Sequence, residues 1–414
     1  MNRMKLGEIL SVKHGWVFKG EYFAEDGEQS ILTPGNFFEK GGFKPNNGKE
    51  RYYTGTYPKE YLCHKGDLIV AMTQQAEGLL GSTALVPENN KYLHNQRIGL
   101  ITCDEKRLNK LFAYYLFMTK SVREQLERSS SGTKVKHTSP EKIYDVEVEI
   151  PDVISQQKIA NLLWSIDEKI ANNNAINDNL EQQAKLLYNY WFIQFNFPDE
   201  NGNPYHSSGG QLVWNKNLQQ EIPQDWRSGN LYDIADYING IACQKYRPSD
   251  EEHSLPVVKI REMNGGITND TERVSSTIPA KNIISSGDIL FSWSASLEVI
   301  MWYGVDAGLN QHIFKVVPKS YFSSEYVYLQ LSEYLIHFIK IAEARKTTMG
   351  HITSEHLQDS HIILPPANII KNFSEYVRPI YQMKKQIANE TSELIKLRDW
   401  LIPMLMNGQA TISD

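Results

Sequence analysis

Little in this chain of 414 residues points to chemistry of its own. Its three cysteines, Cys63, Cys103 and Cys243, are scattered and match no metal-ligand spacing. No Gly-x-x-x-x-Gly-Lys-Ser/Thr phosphate loop occurs, so nucleotide hydrolysis is not expected. The longest apolar stretch, 111–118, falls far short of the ~20 residues a membrane helix needs. The first residues carry no charged-then-apolar leader, and a cytoplasmic protein without a membrane partner is expected. Basic residues are not in excess: 43 Lys and Arg stand against 49 Asp and Glu, a net charge of −6. A free-standing binder of nucleic acid shows the opposite balance, because neutralised phosphates supply most non-specific affinity. Any contact with DNA therefore needs other subunits to complete the clamp.

What is present is a duplicated pattern. Hydrophobic residues make up 41% and charged residues 22%, enough for real cores, and the length suits two or three domains. Leu6-Gly7-Glu8-Ile9 matches Leu231-Tyr232-Asp233-Ile234 at an offset of 231 − 6 = 225. Gly41-Gly42-Phe43 then matches Gly265-Gly266-Ile267 at 265 − 41 = 224, and Gly66-Asp67-Leu68-Ile69 matches Gly287-Asp288-Ile289-Leu290 at 287 − 66 = 221. Asn95-Gln96 matches Asn310-Gln311 at 310 − 95 = 215; His137 and Ile150-Pro151 match His351 and Leu364-Pro365 at 351 − 137 = 214. The offsets fall and never reverse, as expected if the first copy carries extra loop residues. Such ordered self-similarity identifies a repeated structural unit.

Each copy reads as mixed α and β. The Gly-Asp turns lead into apolar runs at 68–72 and 289–291 that suit strands. Tyrosine-rich stretches at 108–119 and 324–342 have helical periodicity. Ser139-Pro140 and Thr353 are helix starts, and β-like runs at 146–150 and 361–364 lead into proline. A long helix follows in each copy. In the first, Ile159, Leu163, Ile166, Ile170, Asn173, Asn177, Leu180, Ala184, Leu187 and Trp191 keep a four-three rhythm. In the second, Phe373, Tyr376, Ile380, Met383, Ile387, Glu390, Leu394, Leu397, Leu401 and Met404 do the same. This is the a/d pattern of a coiled coil. Pro403 is expected to bend or end the second helix, and Gly408 to cap it. The segment 196–227, rich in Pro, Gly, Asn and Ser, reads as a loop-like linker.

The order of domain, helix, domain, helix resembles the specificity subunit of type I restriction–modification enzymes. The resemblance rests on the two Gly-Asp strand entries, on Ile150-Pro151 followed by Ser155-Gln156-Gln157-Lys158-Ile159-Ala160, and on Trp191-Phe192. It also rests on Ile222-Pro223-Gln224-Asp225-Trp226 and on the closing run from Leu397-Arg398-Asp399-Trp400 to Gly408. Two departures are Ser155, where the family favours Glu, and Asn368-Ile369-Ile370-Lys371, which lacks the Glu-Gln-Gln pattern. The resemblance implies an α+β fold: two repeated mixed α/β target-recognition domains, separated by two long helices packed as an antiparallel coiled coil with pseudo-twofold symmetry. The expected boundaries are 1–152 and 228–366 for the recognition domains, 153–196 and 367–409 for the spacer helices, and 197–227 for the linker. It implies a subunit that reads a split double-stranded DNA target, one half per domain. Two modification (methyltransferase) subunits and restriction subunits would be its partners. S-adenosylmethionine, ATP and magnesium would belong to those partners, and this subunit would hold no cofactor and no metal.

Catalytic lookalikes are weak. Asn203-Pro204-Tyr205 lacks the second proline of an adenine methyltransferase motif and a glycine-rich cofactor turn. Asp152, Asp167 and Lys169 resemble a nuclease set only in type, since Asp167 and Lys169 point to different sides of a helix. For base readout, positions shared by both copies serve the scaffold and positions that differ can read different half-sites. Asn95-Gln96 and Asn310-Gln311, although able to bond adenine, are therefore expected to be structural. Gln74 and Gln75 in one copy, and Ser294 in the other, are candidates for base contact, with solvated turns the alternative. Lys134, Lys136, Arg345 and Lys346 are candidates for phosphate contact, with an exposed charge run the alternative. Arg261 is a further candidate, which an ion pair with Glu262 would also explain. Trp191, Phe192, Trp400, Leu401 and Leu405 are expected to face a partner or the other helix. Two other functions stay open here: a combined nuclease–methyltransferase, and an orphan or decayed specificity subunit that acts only as a scaffold.

Overall fold

The computed structural model describes residues 1–412 except 47, 75, 133–134, 250–252, 295 and 345–351. The chain forms two compact units, Met1–Ile170 with Glu393–Asp414, and Ala171–Ser392. Each takes its own recognition copy and one stretch of each long helix.

In the first unit Asn2–Lys5 pairs antiparallel with Glu147–Ile150, closing the copy on itself. An antiparallel sheet follows in the order Leu10–His14, Ile98–Cys103, Leu68–Ala71, Thr83–Leu85. A smaller sheet joins Phe23–Ala24, Tyr52–Tyr53, Ser30–Ile31 and Tyr92–Leu93, with the last pair parallel. The second unit repeats this plan. Arg227–Gly229 pairs with Ile362–Leu364, and the main sheet runs Ala235–Asn239, Ile313–Pro318, Ile289–Ser292, Glu298–Met301. Its smaller sheet again holds one parallel pair, Ser254–Val258 with Ala307–Leu309. The duplication seen in the residues is thus, in the main sheet, a duplication of strand order and direction, while the smaller sheets share the parallel pair and differ in their edge strands.

The shared Gly-Asp pairs explain their own repetition. Gly66 and Gly287 adopt φ of +83° and +110°, where a side chain would be strained. Asp67 Oδ2 accepts from the His64 N–H at 2.8 Å, and Asp288 Oδ2 from the Ser285 N–H at 2.7 Å. Both turns then open the central, fully buried strand of the main sheet.

The tyrosine-rich stretches become helices, Lys110–Leu116 in the first unit, where a separate helix Lys120–Ser129 follows, and Ser324–Ala344 in the second. In the first copy the Thr119 hydroxyl donates to the Leu116 carbonyl at 2.7 Å and the chain turns there. The expected helix starts open Pro140–Tyr144 and Ser354–Gln358.

The long helices are Val153–Tyr188 and Ala367–Met406. In the first unit Leu163 and Ile402 share one core, and Asp167 Oδ1 meets Arg398 Nη1 at 2.9 Å. In the second, the Asn173 amide donates to Glu390 Oε2 at 2.8 Å, Lys384 pairs with Glu181, and Trp191 lies 5.5 Å from Phe373. Partner numbers fall on one helix as they rise on the other, so the two run antiparallel within each unit. The rhythm read for the first helix holds: its ten positions are buried or half-buried. That for the second is corrected in phase. Tyr376, Met383 and Leu397 are 60%, 49% and 44% exposed. The buried or half-buried positions are one residue further on, at Val377, Lys384, Thr391, Arg398 and Leu405, interleaved with Phe373, Ile380, Ile387, Leu394 and Leu401. The spacing is still four-three, but three of these ten positions are polar, and two of them, Lys384 and Arg398, are held by ion pairs with Glu181 and Asp167. The second helix continues through Pro403 to Met406, and Gly408 follows at φ +70°.

Gln156 shows what the Gln-Gln motif does. Fully buried, it accepts from the Asn109 N–H at 2.9 Å and donates to the carbonyls of Arg107 and Pro151. It ties the recognition copy to its helix. At the corresponding position of the second copy (370 − 156 = 214) Ile370 is buried in an apolar core, so the departure there replaces a polar tie by packing.

The linker is more ordered than its composition suggests. Leu212–Asn215 and Gln220–Pro223 form a hairpin, and Phe197 stacks on Tyr205 at 4.7 Å and on Trp226 at 5.0 Å. Asn215 Oδ1 holds the turn by accepting from the N–H groups of Asn217 and Leu218.

Candidate nucleic-acid interface

In the first unit the strand Leu10–His14 ends where Ile98–Cys103 begins, with His14 opposite Gly99, and Ala71 ends the central strand opposite Ile98. Loops 15–17, 72–82 and 94–97 therefore leave one end of the sheet together. Gly15 makes this possible: a Cβ there would lie 2.1 Å from the Asn95 carbonyl oxygen. Across that close crossing the Trp16 N–H donates to the His94 carbonyl at 2.8 Å and the Gln96 N–H to the Trp16 carbonyl at 3.1 Å. Gly240 of the second unit would place its Cβ 2.1 Å from the Asn310 carbonyl oxygen, and the Ile241 N–H donates to Leu309 at 2.9 Å.

The shared asparagines belong to this scaffold. Asn95 Oδ1 accepts from the Arg97 N–H at 3.0 Å, and Asn310 Oδ1 from the His312 N–H at 3.4 Å. Beneath the first turn His94 is fully buried, and its Nε2 bonds the Ile98 carbonyl at 2.8 Å. Burial lowers its pKa to about 4, against a smaller upward pull from that hydrogen bond.

Two segments singled out from the sequence meet at this end. Thr73 Oγ1 lies 3.1 Å from His137 Nδ1, and the Gln74 N–H donates to the Lys136 carbonyl at 2.9 Å. Gln74 is half-buried, and the Lys136 ammonium pairs with Glu127. Gln75 and Lys134, like Arg345 and Lys346, lie outside the described residues. Ser294 occupies the corresponding end of the second unit but is only 5% exposed. Arg261 sits apart on the helix Ile260–Gly265, its guanidinium 2.7 Å from Glu262 and 3.0 Å from Asp270. The hydrogen bond and charge of Glu262, then of Asp270, raise its pKa. The ion-pair explanation is thus the one realised in the structure.

Directly after the shared Asn-Gln pair come Arg97 and His312, the places where the two scaffolds carry different side chains. Trp16 and Val17, both exposed, belong to the same loop cluster.

The catalytic lookalikes are absorbed by packing. Tyr205 is part of the linker stack, its N–H donating to the Phe197 carbonyl at 2.9 Å. Asp152 caps the first long helix by accepting from the Ser155 N–H at 3.0 Å, while Asp167 holds Arg398 and the Tyr115 hydroxyl. Among the described residues no group of three or more His, Cys, Asp or Glu is placed to hold a metal ion. Nor is any described helix long and apolar enough to cross a membrane.

Of the residues expected to face a partner or the other helix, Trp191, Phe192 and Leu405 meet the other helix in core positions. Phe192 lies 4.8 Å from Phe373 and 5.0 Å from Tyr326, because the aromatic end of the first helix fills the second unit's interior. Leu401 is half-buried, and Trp400 is 57% exposed. The open apolar positions repeat. Leu162 and Trp400 in the first unit correspond to Tyr376 and Leu186 in the second (376 − 162 = 400 − 186 = 214), and all four are exposed.

Two closed copies of one α/β plan, each presenting loops of unequal chemistry from an equal scaffold, define a duplicated recognition protein. The family model described as the type I restriction modification DNA specificity domain matches residues 1–182 and 223–397. The chain belongs to this family: it is a specificity subunit whose work is recognition of a DNA target, and a non-catalytic component of its system. It is 25% identical over 317 residues to the MjaIX type I restriction enzyme specificity subunit of Methanocaldococcus jannaschii, covering 73% of this chain and 69% of that one. It is 22% identical over 360 residues to the HindI specificity subunit of Haemophilus influenzae, covering 72% and 77%. The fold is similar to the crystal structure of an S subunit from M. genitalium, with a TM-score of 0.57 and 14% identity over 100% of this chain and 96% of that one.

Proposed function

We propose that each unit reads one half of a split double-stranded DNA target with the loops at the end of its main sheet. Residues 1–152 and 228–366 are the two recognition domains in this reading, 153–196 and 367–409 the spacer helices, and 197–227 the linker. The observation that carries it is the pair of sheet ends: one scaffold, held by the same glycine crossing and the same asparagine turn, with different residues at its tip. Two modification subunits dock on the long helices, and the twice-repeated exposed apolar positions Leu162/Trp400 and Tyr376/Leu186 support two equivalent docking places. Restriction subunits join that assembly. S-adenosylmethionine, ATP and magnesium act in the partner subunits, and with them the methylation and cleavage. A net charge of −6 supports the view that partners supply much of the phosphate clamp.

Exchange of residues 1–152 for another recognition domain tests this. Mapping of methylated DNA in cells carrying the partner subunits should show one half of the motif replaced and the other retained. If both halves change together, or neither does, independent recognition is wrong.

A further inference from the structure

We infer that Arg97 is a base-reading residue of the first unit and that it contacts a guanine in the first half-site. The inference rests on the reading that the sheet-end loops face DNA, and adds to it a particular side chain and a particular base.

Arg97 is fixed at its backbone and free at its side chain. Its N–H donates to Asn95 Oδ1 at 3.0 Å, and its carbonyl accepts from the Met72 N–H at 2.9 Å. Met72 is buried at the end of the central strand, and Asn95 is held over the Gly15 crossing. The Cα is thus pinned between two strands of the main sheet. The side chain is exposed, and its guanidinium has no hydrogen bond or ion pair with any of the described residues. Arg261, Arg123 and Arg398, in contrast, are each engaged by carboxylates or carbonyls. An unengaged guanidinium on a rigid turn can meet a ligand without first giving up a partner.

Its neighbours fit a groove floor. Trp16, bonded through its backbone to His94 and Gln96, leaves its ring half open against Tyr61 at 5.4 Å, and Val17 is more exposed still. Gln74 follows two residues after Met72. Exposed apolar groups beside a cation suit base edges and sugar better than phosphate alone. The planar fork of arginine matches guanine O6 and N7 and no other single base, and one such pair discriminates about tenfold to a hundredfold. In the second unit the same turn carries His312, half-buried with its ring 5.6 Å from Trp293, so the two tips present different chemistry.

The test is methylation mapping in cells that carry the partner subunits and the full chain with Arg97→Ala or Arg97→Lys. The expected result is that one G·C position of the first half-site becomes degenerate in both variants, with the second half-site unchanged. Lysine keeps the charge but not the fork and should not restore the base. An unchanged motif in Arg97→Ala overturns the inference. So does a uniform loss of methylation at an intact motif that Arg97→Lys rescues, the behaviour of a phosphate contact. Degeneracy at an A·T pair or in the second half-site also overturns it. Absence of any split motif with the unaltered chain would instead sink the underlying reading.

Discussion

Acidification should loosen the first unit at one identifiable side chain, His94. In the folded chain its Nε2–H bonds the Ile98 carbonyl and its Nδ1 is buried with no partner among the described residues. A second proton would have to sit on Nδ1, where no acceptor waits, and burial accordingly lowers the pKa from 6.5 to about 4. Because the folded value is below the unfolded one, the unfolded chain binds the proton first. The stabilising contribution is therefore complete above about pH 6.5 and is lost progressively as the pH falls toward 4. Between pH 7 and pH 5 the loss is about 2 kcal/mol, since each unit of difference is worth about 1.4 kcal/mol. Hydrogen exchange of the amides in Ile98–Cys103, corrected for intrinsic rates, should report an opening equilibrium about thirtyfold larger at pH 5. Other groups titrate as well, so the control is His94→Gln, which retains a donor and removes the titration. Its opening free energy should depend on pH by about 2 kcal/mol less than that of the unaltered chain. Equal dependence in the two proteins would refute the assignment.

Further outcomes follow from the packing. Asp167→Ala strips Arg398 of one carboxylate and the buried Tyr115 hydroxyl of its acceptor at 2.6 Å, and should cost about 2–3 kcal/mol in denaturant unfolding, with Tyr115→Phe costing about 1. Gly15→Ala and Gly240→Ala each force a Cβ against a carbonyl 2.1 Å away, and should cost about 2 kcal/mol or more in the unit concerned. In the assembled enzyme, each should weaken methylation through its own half-site, read by competition between targets altered in one half or the other. Trp400→Asp should remove one of two bound modification subunits, and addition of Tyr376→Asp the second, as measured by native mass spectrometry of the assembly. Retention of both subunits by the double variant would show that these apolar positions are not the docking places.

The duplication was legible because the turns that build it use residues with few substitutes. Gly66 and Gly287 hold positive φ, and Asp67 and Asp288 close the same loop, so the pattern survives where the strands themselves have diverged. The phase of the second long helix was not legible. Hydrophobic periodicity assumes that apolar side chains face inward, yet here Tyr376, Met383 and Leu397 point outward while Lys384 and Arg398 are drawn into the seam by Glu181 and Asp167. An ion pair across two helices leaves no trace in either helix alone. The same limit hid Arg97: its scaffold was visible as a repeated Asn-Gln pair, but its freedom from partners is a property of the surroundings. Trp191-Phe192 left two places open for the converse reason, since a conspicuous aromatic pair at a helix end suits an interior as well as an interface. The linker hairpin escaped because turn-rich composition reads alike in open loops and in short ordered ones.

The division of the chain into Met1–Ile170 with Glu393–Asp414, and Ala171–Ser392, gives the two units different histories on the ribosome. The second is one unbroken stretch and can complete its interior as soon as that stretch has emerged. The first is made earliest and finished last. Its core lacks Ile402, Leu405 and Met406, and Asp167 lacks Arg398, until translation reaches the final turns of the second helix. Throughout synthesis Ile159 and Leu163 lack the part of their core that Ile402, Leu405 and Met406 supply. A stop codon at residue 393 would accordingly damage the amino-terminal unit, leaving the carboxy-terminal one with every residue it packs.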